Sequence, residues 1–456
     1  MIRLHVVMIL ALAQAIFSER LLVSLNTGGQ GVIPIMNLCE PWVSLFLVVI
    51  PFRAEVKRAL WTRTFVTYWL PFLGLTFLLP ILGVILVAFP IRTLFASWNG
   101  LVPFTFLALG CAGAGVARLP EAAKALRGYF LFAVLAQLVM SLIQTLGQLR
   151  YLPGFLSFID NWDFRFKVLY QPDNIIQGRA TGFYLNPNSL GIWALLALWT
   201  SFFLLKGRQR AIGVAASFAT VLLSQSRGTL AALLASAAVY GLLWMFLWAN
   251  REQRLKATLL VVVCALPIVA LAIPGTAESL LKPLKGVTLV ERAIDRYASG
   301  AKVLSQGAAA DANFQGRTEY WDAAYAYLAQ HPFGSLGSPQ MVINLPPDNQ
   351  FIAVLEQGSF YFLLALLLAF FRGIGLIRGA GAHERLLAVV SIALVINGVS
   401  AVPFAYSASY LYWLLVGVYL AGRAQDPDEA PASRAIPGGW RVLRAGTLAR
   451  SEPREG

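Results

Sequence analysis

The sequence predicts an all-α polytopic membrane protein with about twelve transmembrane helices. Of its 456 residues, 58% are hydrophobic and only 13% are charged, whereas a soluble domain carries about 25% charged residues. Its apolar runs are also long enough to cross about 30 Å of hydrocarbon. These runs lie at about 4–24, 32–52, 67–91, 97–117, 128–147, 186–205, 211–226, 229–249, 257–274, 350–371, 386–402 and 405–421.

The distribution of basic residues assigns the two sides of the membrane. With twelve spans, 23 of the 36 Lys and Arg fall on one side, in short connections, near the start and in the tail after Gly422. Cytoplasmic loops carry such an excess, so both termini are predicted to be cytoplasmic. The membrane domain then covers 1–422. The tail at 423–456, rich in Pro, Gly, Arg and Glu, is predicted to be disordered.

Two long segments fall on the opposite, outward side, at about 148–185 and about 275–349. Loops of this length are uncommon unless they are functional. The second segment contains a stripe with spacing i, i+3, i+4, i+7, formed by Trp321, Ala324, Tyr325 and Leu328. That spacing predicts an amphipathic helix lying beside the membrane. Ordinary packing against the helix bundle explains the stripe equally well.

The positions of the charged residues and of the possible metal ligands argue against nucleic-acid binding and against a metal site. The formal net charge is +14, but most basic residues lie in short loops between apolar runs, so a nucleic-acid partner is not expected. The three histidines are scattered, and Cys39, Cys111 and Cys264 each lie inside an apolar run. Neither a metal site nor a disulfide framework is therefore predicted.

Arg179 introduces the first of four polar motifs on the outward face. Asn186 and Pro187 follow it, and they form a helix start, because Asn caps free N–H groups and Pro fits the first turn. A helix N-terminus and a nearby arginine together bind anions, with Asn188 in the first turn as a supporting residue. The alternative is a plain capped helix in which Arg179 meets lipid phosphate.

Two further outward arginines, Arg227 and Arg317, run against the positive-inside bias. Arg227 follows Ser226 in a polar hexapeptide that joins two apolar runs, so it must snorkel or pair. Arg317 is expected to open the amphipathic helix that carries Trp321. An anionic ligand accounts for both arginines. For Arg317 the alternative is a cap or a salt bridge to Glu319 or Asp322.

Asp348 is the candidate catalytic residue. It lies at the mouth of a span, beside three cations in the predicted topology, and could take the proton from an attacking hydroxyl. Asn349 follows it, and Glu356 lies one to two turns into the span. The alternative is that Asp348 is the N-cap of a helix starting at Asn349.

In this order the motifs resemble the O-antigen ligase and polymerase superfamily (Wzy and WaaL) over about residues 175–360. The resemblance rests on four groups: Arg179 with Asn186-Pro187-Asn188; Ser226-Arg227-Gly228; Gly316-Arg317 with Trp321, Pro332 and Gly334; and Asp348-Asn349 with Glu356 and Gly358. It implies a GT-C-like glycosyltransferase of the bacterial inner membrane whose active site faces the periplasm. The implied donor is an undecaprenyl-diphosphate-linked glycan held by the arginines, with no metal or cofactor.

Asp348 stands where the ligases of this family carry histidine. This departure favours a polymerase, which extends another lipid-linked repeat unit, over a ligase, which transfers the glycan to lipid A-core. Single-step inversion is expected, because no second carboxylate is placed as a nucleophile. A chain-length regulator and a flippase are the further protein partners that the resemblance implies.

A transporter of lipid-linked glycans is the rival from a different class. Transporters show internal repeats and ionisable residues near the bilayer midplane. Here the sequence has no internal repeat, and only Glu40 lies deep in a predicted span. A structural membrane protein would have no need of outward arginines. The charge distribution therefore favours an enzyme.

Overall fold

The computed structural model describes residues 22–24, 32–34, 46, 50, 52–90, 94–116, 120–148, 179–184, 186–247, 250–272, 312–337, 342–343, 349–379, 381–405 and 407–425. This part of the chain is almost entirely helical, as the sequence predicts. The helices are α1 (Arg53–Leu60), α2 (Arg63–Tyr68), α3 (Leu70–Leu86), α4 (Leu94–Val116), α5 (Pro120–Gln148), α6 (Pro187–Leu204), α7 (Gly207–Ser224), α8 (Arg227–Leu247), α9 (Arg251–Ala272), α10 (Ala312–Gln330), α11 (Gln350–Gly375), α12 (Ala382–Gly398) and α13 (Tyr410–Arg423).

Two short strands depart from the predicted all-helical fold. β1 (Leu22–Ser24) and β2 (Val32–Pro34) pair in antiparallel register, with Val23 opposite Ile33. Helix was predicted at both places, at the ends of the first two apolar runs, and that prediction is wrong for these residues. β-Branched side chains favour the paired extended backbone.

The described helices agree well with the apolar runs. Ten of the twelve runs coincide with α3–α9 and α11–α13, and α10 is the helix predicted from the stripe of 321–328. Within the described residues, four stretches are long and apolar enough to cross a membrane, namely Ala123–Leu146, Pro187–Leu204, Arg227–Leu247 and Gln350–Arg378. The chain is thus a membrane protein by the composition of its helices. The count of twelve spans and their orientation stay predictions.

Helix α6 forms the centre of the described bundle. Almost every residue from Pro187 to Ser201 is buried, and α7, α8, α12 and α13 all pack against it. A helix that is apolar on all sides is expected at such a position. The N-terminus of α6 is therefore held firmly by its neighbours, which matters because the first polar motif lies there.

Close backbone contact joins α4 to α13. The Cα of Gly110 faces the carbonyl oxygen of Leu414, and Gly417 faces that of Leu107, so closely that a β-carbon at either glycine would clash. Small residues at such crossings let membrane helices approach.

Helix α11 is broken, although the sequence predicts a continuous span over 350–371. Gly358 and Ser359 have non-helical backbone angles, with φ of −139° and 59°. The turn after α10 fills this break, as described below. The helix is therefore broken by a contact with a distant segment, and the periodicity of the sequence does not encode such a contact.

Several predictions fall outside the described residues. These are most of the first two apolar runs, most of the outward segment at 148–185, residues 275–311 of the second, the cytoplasmic tail from 426 onwards, and Asp348 itself.

Candidate active site at three helix N-termini

The turn between α7 and α8 carries the second polar motif. Helix α7 ends at Ser224, Gln225 adopts the left-handed conformation with φ of 47°, and α8 begins at Arg227. Within this turn, the Thr229 hydroxyl donates to Ser226 Oγ at 2.9 Å, and both residues are buried. Arg227 is half-buried, at the first position of α8. Only Gln225 and Ser226 separate the two helices, so the polar hexapeptide forms a tight turn.

Arg179 fastens the first motif to this turn. Its Nε donates to the Ser224 carbonyl oxygen at 3.0 Å, and its Nη2 donates to Asn188 Oδ1 at 3.1 Å. The neighbouring Ala180 N–H donates to the Leu223 carbonyl oxygen at 3.0 Å. Arg179 is only 3% exposed, and its guanidinium is hydrogen-bonded to acceptors on two different helices.

A glutamine on α5 holds the other side of the 179–184 segment. Gln144 Oε1 accepts from the backbone N–H groups of Thr181, at 3.0 Å, and Gly182, at 2.7 Å. Gly182 has φ of +58°, and a β-carbon there would clash with Gln137 Oε1. This position therefore requires glycine. Neither glutamine was singled out in the sequence, although polar residues inside an apolar run such as 128–147 are a recognisable signal.

The predicted capped start of α6 is present. Asn186 Oδ1 accepts from the Asn188 N–H at 2.8 Å, and Pro187 occupies the first turn. One turn later, a β-carbon on Gly191 would lie 2.7 Å from Thr229 Oγ1. The beginnings of α6 and α8 are therefore in direct contact, which brings the first two motifs together.

Asn349 starts α11. Its Oδ1 accepts from the N–H groups of Phe351, at 2.9 Å, and Ile352, at 3.2 Å. Its Nδ2 donates to the Val399 carbonyl oxygen at 3.1 Å. The alternative in which Asp348 caps a helix starting at Asn349 is thus wrong: Asn349 is the cap, and the helix begins at Gln350.

The end of α12 joins the α8 start to the α11 start. Asn397 Nδ2 donates to Thr229 Oγ1 at 3.4 Å, and the Ser400 hydroxyl lies against the Cα of Gly228. The Gln350 N–H donates to the Ala401 carbonyl oxygen at 3.0 Å. Sequence reasoning missed Asn397 and Ser400. An asparagine inside the apolar run 386–402 was the signal that could have indicated them.

Arg317 lies on α10, which packs against the beginning of α11. The sequence placed it at the opening of the helix, but α10 begins at Ala312, so Arg317 lies in its second turn. Three residues further on, Tyr320 is buried with Ala324 against Ile352 in the first turn of α11, and Trp321 is partly buried against this cluster. Tyr325 of the predicted stripe faces outward instead and is 54% exposed. Arg317 is half-buried.

Glu356 lies deeper than the other predicted residues. Its side chain has no exposed surface, and neither carboxylate oxygen accepts a well-formed hydrogen bond from a described residue. The Ser335 hydroxyl faces the carboxylate but donates to the Gly337 carbonyl oxygen at 3.2 Å. The pKa of the Tyr327 phenol on α10 is raised, mainly by partial burial and to a lesser extent by the negative charge of Glu356.

The convergence of three helix N-termini defines the electrostatics of the site. Helices α6, α8 and α11 all begin here, and each N-terminus carries the partial positive charge of its helix dipole. Arg179 and Arg227 add full positive charges at the same place. Such an arrangement stabilises an anion. In the described part of the chain, no cluster of three or more His, Cys, Asp or Glu could hold a metal ion.

The comparison with protein families agrees with the motif order. Residues 212–356 match the family model Wzy_C, described as O-antigen ligase. This range includes Ser226, Arg227, Arg317 and Glu356. A comparison with curated proteins gave no match. The matched segment covers under a third of the chain and supports the resemblance to the Wzy/WaaL-like O-antigen polymerase and ligase superfamily.

Proposed function

We propose that this protein transfers a glycan from undecaprenyl diphosphate to a hydroxyl group, at the outer face of the bacterial inner membrane. The observation that carries the proposal is the meeting of three helix N-termini with Arg179 and Arg227. The partial positive charges of three helix N-termini, together with the charges of two arginines, suit a diphosphate, which is a compact, multiply charged anion. The match of residues 212–356 to the O-antigen ligase family supports a glycosyltransferase of this kind.

The arginines have two different roles in this proposal. Arg227 and Arg317, both half-buried, contact the diphosphate and stabilise the charge that develops on the leaving group. Arg179 lies behind them, since two of its nitrogens bind Ser224 and Asn188. It therefore fixes the position of the α6 N-terminus and adds its charge to the local field.

Asp348 is the proposed general base. It directly precedes Asn349, whose cap geometry fixes the start of α11 beside Val399. A carboxylate at this position would remove the proton from the acceptor hydroxyl, which attacks the anomeric carbon opposite the leaving diphosphate. The reaction then proceeds by inversion in a single displacement and needs no metal.

Polymerisation is the first candidate reaction and ligation the second. The carboxylate of Asp348 in place of histidine favours polymerisation, in which another lipid-linked repeat unit is the acceptor. The printed description of the matching family, O-antigen ligase, favours ligation to lipid A-core. Transport of the lipid-linked glycan ranks below both.

The deciding experiment supplies purified protein in lipid with a lipid-linked repeat unit and no second acceptor. A ladder of products supports the polymerase. Product only after addition of lipid A-core supports the ligase, and absence of product under both conditions contradicts the proposal.

Arginine variants test the role of the site in the same assay. A lysine is a point charge and cannot replace a bidentate guanidinium, so Arg227→Lys and Arg317→Lys should lose much of the activity and the alanine variants nearly all of it. Arg254→Ala is the matched control, because Arg254 is an exposed arginine on α9. Full activity of Arg317→Ala at normal expression would make that residue structural.

A further inference from the structure

The break in α11 is filled by another segment of the chain. The Ser335 N–H donates to the Glu356 carbonyl oxygen at 2.7 Å, and the Leu336 N–H donates to that of Gln357 at 2.9 Å. The Ser359 hydroxyl donates to the Pro332 carbonyl oxygen. A broken helix is tolerated at membrane depth only where other groups satisfy its freed carbonyls. Here the turn at 331–337 supplies them.

The same turn is wedged against a second helix. Gly334 has φ of +79°, and a β-carbon there would lie 2.6 Å from the Glu356 carbonyl oxygen. On the opposite side, the Leu336 carbonyl oxygen would lie 2.6 Å from a β-carbon on Gly83 of α3. The turn therefore sits between α11 and the end of α3, with no room for a side chain at either contact.

Backbone strain is concentrated at this contact and at the Arg227 turn. Within the described residues, the non-glycine positions with positive φ are Ala88, Gln225, Leu336 and Ser359. Leu336 and Ser359 form the contact, and Ala88 follows α3 beside it. Gln225 lies two residues before Arg227. Such conformations persist only where the surrounding structure holds them, and they cluster at functional sites.

Helix α10 is attached to α11 at two separate points. At its middle, Tyr320 and Ala324 pack on Ile352. At its end it runs directly into the turn, where the His331 N–H still bonds to the Tyr327 carbonyl oxygen at 2.9 Å. Two attachments fix both the position and the direction of a helix. The direction of α10 in turn decides where Arg317 lies relative to Arg227.

Building on the proposed function, we propose that the turn at 331–337 and the break in α11 form a clamp that positions Arg317 for the diphosphate. Gly334, Glu356 and Ser359 are its positioning residues. Gly334 permits the close approach, and Ser359 supplies both the kinked backbone and a hydroxyl bond. Glu356 places a polar side chain against Ser335, and this role explains why an ionisable side chain is buried in a membrane helix.

The test compares Gly334→Ala with the matched control Gly113→Ala, a helical position where an added β-carbon meets nothing within 4 Å. Two quantities are measured: hydrogen exchange of the Ser335 and Leu336 amides, and binding of undecaprenyl diphosphate. Gly334→Ala should speed the exchange and weaken binding about tenfold, while Gly113→Ala changes neither. The double variant with Arg317→Ala should bind no more weakly than Arg317→Ala alone, because the clamp acts through that arginine.

Each failure has a separate signature. Unchanged binding in Arg317→Ala refutes the diphosphate role and the clamp's purpose together. Weak binding in Arg317→Ala with normal binding in Gly334→Ala refutes the clamp alone. Additive losses in the double variant also refute it, because the turn would then act independently of Arg317.

Glu356 variants keep the proposal testable if Gly334→Ala fails to fold. Glu356→Leu keeps roughly the same side-chain volume but removes the polar group that lies against Ser335. It should therefore show the same faster exchange and weaker binding as Gly334→Ala. Glu356→Gln keeps a polar group at this position, so its exchange and its binding should both be close to those of the wild type. If Glu356→Gln binds normally but loses turnover, Glu356 is a catalytic group and its positioning role is refuted. Glu55→Leu, at an exposed position of α1, is the matched control.

Discussion

Arg179 gives the sharpest test of how the site is built, because it is held by the protein itself. Its guanidinium donates to two acceptors, the buried Ser224 carbonyl oxygen and the half-buried Asn188 Oδ1, at 3.0 and 3.1 Å. Hydrogen bonds to charged groups contribute about 1.5–3 kcal/mol each. Replacing Arg179 by Met, which keeps most of the apolar stem, should therefore lower the free energy of unfolding by about 3–6 kcal/mol.

Unfolding in detergent, followed by tryptophan fluorescence, measures this effect. Arg254→Met is the control, since Arg254 is exposed and its loss should change stability by less than about 0.5 kcal/mol. Arg179→Lys should lie between the two, because an ammonium group can reach one acceptor but cannot span both. If Arg179→Met is as stable as Arg254→Met, the two bonds do not hold the α6 start to the α7–α8 turn. The assignment of Arg179 as the arginine behind the site would then be wrong.

Three further predictions follow from the site and the topology. Asp348→Asn should fold, bind the lipid-linked donor and turn over at least about a hundredfold more slowly, as expected for loss of a general base; near wild-type turnover would move the base elsewhere, with Glu319, Asp322 and Glu356 as the next candidates. Asn349→Asp should keep the cap but lose the bond to Val399, whereas Asn349→Ala should lose both and cost about 1–2 kcal/mol more than Asn349→Asp, as measured by unfolding. A cysteine at Ala309 should react with a membrane-impermeant reagent in intact spheroplasts, and labelling only after lysis would overturn the predicted orientation.

The sequence predicted those parts of the site that depend on neighbouring residues. The start of α6 follows from Asn186 and Pro187 alone, because capping and the first turn are local chemistry. The short turn at Ser226 and Arg227 was visible as a polar interruption between two apolar runs. The helical spans were equally accessible, since the bilayer requires long apolar segments whatever their neighbours are.

Only the tertiary structure decided which of these parts meet. The Arg179 bond to Ser224 joins residues 45 apart, and the Asn397 bond to Thr229 joins residues 168 apart. The break at Ser359 depends on a turn whose Pro332 carbonyl lies 27 residues earlier. Membrane helices associate through close packing and polar contacts rather than through burial of an apolar stripe. The apolar pattern therefore marks where a span lies but not which face meets which partner, and the convergence of three helix N-termini became visible only in the folded chain.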